Sequence, residues 1–435
     1  MQTEKTTYDA VVIGGGLAGL TAAIYIANAG LSVLLAEKAS RLGGRAMTAK
    51  KQGAYLNLGV HAFYQGGKGE EVLKELGVEL KGGNPSAHAV AVWNDKVFPL
   101  PASPVQLLSS RLLSLSGKVE LAKFMGQLGK LDTAKLSGIS LREWAEQEIR
   151  DPMIRHIVYS LCRTNTFVPH PELQVAASAV RQLQRTFGGK AFYMEKGWST
   201  LVDDLREESE RAGVTIATGC SAIELASEGS LFSIRFADGE QIKASSVVVA
   251  TPLADASKLV KEGARIAKWR AEAHPIKAAC LDLVLRRLPN PKSTFIAGFW
   301  LDAPIFYNNP TSVAKYNDDS SSIVIHMTKQ LGENPSDPKE DERQLERALD
   351  VVQPGWRKQE VARQFLPSIM VASDFGSIDK RGGHAGPEIP DIPGLYAAGD
   401  WCGRGEETLA DAVLASAKRA ADAVIAQFQT QKRNG

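Results

Sequence analysis

Residues 8–38 read YDAVVIGGGLAGLTAAIYIANAGLSVLLAEK, and the order of these side chains decides the fold. Asp9 to Ile13 is an apolar, β-branched run of the kind that fills a parallel strand buried on both faces. It enters Gly14-Gly15-Gly16-Leu17-Ala18-Gly19, where Gly14 permits a tight turn, Gly16 lets backbone approach a pyrophosphate and Gly19 lets the next helix pack closely. The pattern predicts a helix over Leu20 to Ala29 with its N–H groups aimed at that phosphate, and a stop at Gly30. A second strand over Leu31 to Ala36 would place Glu37 where a carboxylate accepts ribose hydroxyls. A glycine turn alone is weak evidence, but strand, helix and acid stand here at the spacing of a dinucleotide-binding βαβ unit.

NAD and FAD both suit such a unit. The next residues, Arg41-Leu42-Gly43-Gly44-Arg45, add a second glycine loop flanked by guanidiniums, which suits a pyrophosphate held from two sides. Together, GGGLAGL and EKASRLGGR resemble the N-terminus of the FAD-binding superfamily that contains amine oxidases, protoporphyrinogen oxidase and carotenoid desaturases. The resemblance implies FAD, with contacts from Gly14, Gly16, Leu17, Ala18, Gly19, Glu37, Lys38, Gly44 and Arg45. In Leu56-Asn57-Leu58-Gly59-Val60-His61 it implies cofactor contacts at Gly59 and Val60, with His61 beside the flavin ring; Asn57 stands where relatives often carry an acid. A histidine satisfied by backbone in a turn is the plainer reading of His61.

Composition bounds the rest. The chain has 435 residues, 44% of them hydrophobic, which is enough for two domains with their own cores. A net charge of +2 gives no field that would argue for nucleic acid. The seven histidines lack metal-ligand spacing, so no metal is expected. Cys162, Cys220, Cys280 and Cys402 lie far apart, without a CxxC pair, as suits a reducing compartment. The charged start MQTEKTTYD shows no apolar leader, and no apolar run reaches the ~18 residues of a membrane span. A cytoplasmic protein is the expectation.

Further along, Ala87 to Trp93 and Lys96 to Leu100 read as strands joined at Asn94-Asp95, a hairpin signal without its usual glycine. Leu100 to Leu136 is helical in period and carries Arg111, Lys118, Lys123, Lys130 and Lys135 against Glu120 and Asp132. A basic amphipathic stretch can rest on an anionic bilayer, so a peripheral contact through 101–136 is one reading and a solvated face over a core the plainer one. Desaturase-like relatives tend to face the membrane or admit substrate in this region. Ser140 with Glu143 forms a capping box for the next helix, and helices continue through 151–163 and 171–185.

Residues 195–205 resemble the element that returns the chain to the cofactor domain, with Trp198 in place of a second glycine. By the same resemblance, backbone at Cys220 would hold the adenine, and Ala250 ends a buried strand near the cofactor. Lys277 occupies roughly the place of the lysine that holds a water at the flavin N5 in amine oxidases; a strand-end lysine in solvent is the alternative. Near the C-terminus, LYAAGDW precedes a helix expected over Thr408 to Gln427. The superfamily pattern assigns cofactor contacts there to Gly399, Asp400, Thr408, Leu409 and Ala410.

The expected fold is α/β: a Rossmann-type FAD-binding domain from 1–85, 195–273 and 371–435, interleaved with an α+β substrate domain from 86–194 and 274–370. Gly405, Glu406 and Glu407 leave no aromatic before the last helix, where amine oxidases place half of an aromatic cage. An apolar substrate suits such a site better than an ammonium, which gains from π faces. The sequence therefore predicts an FAD-dependent oxidoreductase that dehydrogenates a small hydrophobic, isoprenoid-like substrate. A flavin amine oxidase using Lys277 and oxygen, a protoporphyrinogen oxidase-like enzyme and a non-catalytic flavoprotein are the alternatives. Substrate identity, electron acceptor and oligomeric state are not encoded in any motif.

Overall fold

The computed structural model describes residues 6–85, 88–261, 263–291, 293–318, 322–332, 334–380 and 385–434. Strand β1 (Thr7–Ile13), helix α1 (Leu17–Asn28) and strand β2 (Val33–Glu37) form the βαβ unit that the first motif predicts. The helix starts three residues earlier than expected, because Gly16 already has the extended backbone of an N-cap. β2 starts two residues later than expected. Ser32 is spent first on Asp9, whose carboxylate accepts from the Ser32 amide and hydroxyl at 2.7 Å each.

β1 and β2 are central to a sheet whose strand order is Thr215–Thr218, β2, β1, Gln241–Val249, Leu231–Phe236, Ala222–Glu228. Leu395–Ala397 pairs with the far half of Gln241–Val249. The parallel registers Ile13↔Ala36, Ala36↔Ala217, Ile13↔Val249 and Val249↔Ala397 bring the carboxyl ends of five strands to one edge. In an open parallel sheet that edge is where ligands bind. The Asp238-Gly239 turn closes the expected antiparallel hairpin.

A second sheet runs Glu360–Ala372, Ile276–Leu285, Ile323–Leu331, Ile305–Asn308, Ala297–Trp300, Ala89–Trp93, Lys96–Pro99. The hairpin at Asn94-Asp95 closes without glycine because both residues adopt positive φ, 50° and 56°, a region that Asn and Asp tolerate. Its first strand begins at Ala89; the expected start at Ala87 lies outside the described residues. Ile305–Asn308 went unread in the sequence because four buried residues after a proline carry no alternation. The amphipathic helix Pro338–Val352 packs on this sheet through Leu345, Leu349 and Val352.

The helical layer is more broken than its periodicity predicts. Residues 100–136 form Pro104–Ser109, Leu115–Leu128 and a 3-10 turn at Thr133–Leu136. Ser103 and Ser114 cause the breaks, since each side chain accepts an N–H three residues on and starts a new helix. Ser140 caps Leu141–Glu148 through the Glu143 amide, as its capping box predicts. Asp151 caps Pro152–Thr166, and Ala176–Phe187 closes the layer. The last helix runs from Ala410 to Asn434 along α1. Among the described residues, no helix is long and apolar enough to cross a membrane.

Candidate cofactor site

The carboxyl edge of the first sheet opens into a cavity of about 540 Å³. Its floor is glycine backbone. Gly43 bonds through its amide to the Gly15 carbonyl at 2.8 Å, so the first and second glycine loops lie side by side as one cradle. A Cβ on Gly44 would sit 3.6 Å from Gly16 Cα, so a side chain there would fill the space between the loops. A glycine turn that leads into α1, with a second glycine loop laid against it, fits a pyrophosphate.

Glu37 reaches the cavity in a fixed orientation. Its Oε2 accepts from the Gly15 amide at 2.6 Å and its Oε1 from the Ala39 amide at 2.8 Å. Each carboxylate oxygen keeps a further acceptor direction for a ribose hydroxyl. Lys38, at the rim, pairs with Asp255 at 2.8 Å. Cys220 also lines this end; its amide already donates to the Glu37 carbonyl, so contact with a base would run through its own carbonyl.

Arg45 and Asp400 join the N- and C-terminal motifs. The guanidinium meets the carboxylate in a fork at 2.8 and 3.0 Å and donates also to the Val371 carbonyl. Burial alone would raise the Asp400 pKa, but the Arg45 charge and hydrogen bonds outweigh it and hold the carboxyl below its usual range. Gly399, at φ 146°, keeps this turn tight, and its amide donates to Ser416 of the last helix. Gln182 of the helical layer donates to the Thr408 hydroxyl at 2.9 Å, and Arg185 pairs with Asp411 at 2.5 Å.

The structure brings Gly14, Gly16, Leu17, Ala18, Glu37, Lys38, Gly44, Arg45, Val60, His61, Cys220, Ala250, Gly399, Asp400, Thr408, Leu409 and Ala410 to this one cavity. Two expected contacts do not line it. A Cβ on Gly19 would sit 1.8 Å from the Gly14 carbonyl oxygen, and one on Gly59 2.6 Å from Cys280 Sγ. Both glycines therefore serve close packing behind the wall.

Lys277 requires a correction. It is exposed near the start of Ile276–Leu285, on the face opposite the buried Ala278 and Cys280, and it does not line the cavity. Lys277 shares its strand face with the buried Ala279 and Leu281, turned away from Gly59, which Cys280 faces, and its place at the strand's end lets the ammonium reach solvent. His61 does stand at the cavity, edge-on to Trp198 at 5.2 Å, with Nδ1 3.0 Å from the Gly59 carbonyl and Nε2 3.2 Å from that of Arg45. Burial pushes its pKa down, and the two carbonyls oppose that.

Sequence reasoning missed Tyr64, Phe167, Gln182, Trp198 and Val371, all of which face the cavity. Tyr64 donates to Asn165 at 3.0 Å, and Phe167 ends its helix at φ 61°. Their elements are distant in sequence, and only the positive φ at Phe167 marks a constrained position. Among the described residues, no group of His, Cys, Asp and Glu could hold a metal, and all four cysteines are free and buried.

A two-glycine-loop cradle on a parallel sheet, roofed by a second sheet and a helical layer, defines a dinucleotide-binding oxidoreductase architecture. The sequence pattern of the flavin containing amine oxidoreductase family matches residues 17–276, well over half of the chain, and the chain belongs to that family. It is 28% identical over 279 residues to (S)-6-hydroxynicotine oxidase of Paenarthrobacter nicotinovorans, covering 57% of this chain and 60% of that protein. It is 24% identical over 283 residues to the 15-cis-phytoene desaturase of Solanum lycopersicum, covering 56% and 46%. The matched stretches thus span about half the length of these curated relatives. Among solved structures, an oxidoreductase from Methanosarcina mazei superposes with a TM-score of 0.76 at 20% identity, covering 95% of this chain and 99% of that one.

Proposed function

We propose that this protein binds FAD in the cavity and oxidises a small hydrophobic, isoprenoid-like substrate. The observation that carries the substrate class is the state of the acids in the wall. Glu37, Asp255, Asp400 and Asp411 line the cavity, and each is engaged: by backbone amides, Lys38, Arg45 and Arg185 respectively. Among the described residues, each carboxylate of the wall is thus already engaged before an ammonium arrives, whereas Val60, Ala62, Phe167, Val371 and Leu409 offer apolar surface.

When bound, the flavin supplies a hydride acceptor at N5, so the protein's contribution is placement of the reacting carbon and exclusion of water. The glycine cradle and the α1 N-terminus would hold the pyrophosphate, Glu37 the ribose, and Arg45 with Asp400 would lie against the rest of the cofactor. Tyr64, Phe167 and Leu409 would hold a substrate by shape. Burial lowers the His61 pKa against the pull of its two carbonyl partners, which disfavours a charge at this wall.

Tyr64 and Phe167 also keep an amine oxidase reading open, because two aromatic faces can receive an ammonium. Anaerobic titration of the yellow protein distinguishes the readings. Bleaching of the flavin by polyenes in detergent, and not by amines, is the expected result. Bleaching by amines alone transfers the site to amine oxidation, and bleaching by neither points to a non-catalytic flavoprotein.

A further inference from the structure

The interior of the second sheet holds a polar chain that its own packing does not explain. Asp282 and His326 face each other across the antiparallel strands Ile276–Leu285 and Ile323–Leu331, at 0% and 1% side-chain exposure, with Oδ1 and Nδ1 2.6 Å apart. On the other side of Asp282, Gln364 stands in register, and its Nε2 donates to Asp282 Oδ2 at 3.1 Å and to the Asn57 carbonyl at 3.0 Å. Among the described residues His326 Nε2 has no hydrogen-bond partner, so the ring's one polar anchor is Asp282. Well-packed apolar residues would often stabilise a strand pair as well as a buried ion pair does. The polar chain instead leads to one place.

That place is the cavity wall. Asn57, whose carbonyl Gln364 holds, accepts through its side-chain oxygen from the Trp198 amide at 3.0 Å and the Thr48 hydroxyl at 2.8 Å. Trp198 meets His61 edge-on, and His61 faces the carbonyl of Arg45, which forks onto Asp400. Val60, His61, Trp198, Arg45 and Asp400 all line the cavity. A tether of named contacts thus runs from the middle of one sheet to the ligand edge of the other.

We propose that His326, acting through Asp282 and Gln364, is a positioning residue that fixes residues 57–61 against the bound flavin. It touches neither cofactor nor substrate. Its effect is to hold Asp282 so that Gln364 keeps the Asn57 carbonyl, and with it Val60 and His61, in place. The inference rests on the FAD reading above, and its test separates the two.

A double-mutant cycle on the full-length chain decides it, with His326→Gln, Gln364→Met and the double variant. FAD dissociation constants are read by fluorescence quenching, the visible spectrum of bound flavin reports its surroundings, and hydrogen exchange of residues 57–64 is followed in flavin-free protein. Each single change is expected to weaken FAD binding by about 2- to 30-fold, the range of coupling carried by residues remote from a ligand. Each should also shift the flavin bands and speed exchange at 57–64, while the double variant is no weaker than the worse single, because both cut one tether. Multiplying effects in the double variant, or unchanged spectrum and exchange in variants that fold, would overturn the proposal. Should Gln364→Met not fold, Gln364→Asn shortens the tether without removing polarity and faces the same criteria. A wild-type chain that takes up no FAD would sink the cofactor reading, yet exchange at 57–64 would still decide the tether.

Discussion

At the residue scale, the site works by committing charges in advance. Glu37 can orient a ribose because two amides already fix its carboxylate, and Asp400 stays ionised while 3% exposed because Arg45 forks onto it. In Glu37→Gln the amide offers one oxygen where the carboxylate offered two, so the Gly15 or the Ala39 amide loses its acceptor. An amide left without its acceptor costs about 1–3 kcal/mol of stability, so the melting temperature should fall, and with the ribose acceptor misoriented FAD affinity should fall about tenfold as well. Equal affinity in a flavin titration would place the ribose elsewhere. Lys277 illustrates how a residue can match by sequence position and fail by direction: in Lys277→Met, flavin reoxidation should be unchanged in stopped-flow traces, because the ammonium is in solvent.

At the element scale, the glycine turn and α1 behave as one unit. Gly19 faces the Gly14 carbonyl so closely that a methyl group there would overlap it, and the helix would have to lift from the turn it aims at the phosphate. Gly19→Ala should therefore cost at least about 1–3 kcal/mol of stability, the usual penalty of overpacking, and weaken FAD uptake in parallel. Thermal melts with and without FAD would show both; an unshifted melt would mean the helix does not sit this close. The helical layer teaches the opposite lesson. Its periodicity was continuous over 100–136, but Ser103 and Ser114 offered the chain local caps, and short capped helices replaced one long helix.

At the scale of the whole molecule, those two helices leave an apolar ridge uncovered. Val105, Leu108, Leu115 and Val119 are 67–81% exposed, whereas no other large apolar side chain among the described residues exceeds 43%. Arg111 and Lys123 are exposed nearby, and Glu120 turns inward to accept from the Arg150 and Asp151 amides, which leaves the ridge cationic. We propose a peripheral contact of this ridge with an anionic bilayer. Flotation with phosphatidylglycerol vesicles should carry the protein upward at low salt and lose it in Leu108→Ser/Leu115→Ser; no flotation at low salt would end the idea.

The sequence by itself determined the cofactor half of this protein. The turns that line the cavity are local: Gly14 to Gly19, Gly43 to Arg45 and Gly399 to Asp400 each carry their geometry within a few residues, because a glycine or a strand end dictates the backbone there. Tertiary structure alone decided which side chains face the ligand. Tyr64, Phe167, Gln182 and Trp198 arrive from separate elements, Lys277 at its strand's end turns away from the cavity, and a polar chain through Asp282, Gln364 and Asn57 leads from the second sheet to the cavity wall. Such arrangements depend on register and packing between segments hundreds of residues apart, and no local pattern records them.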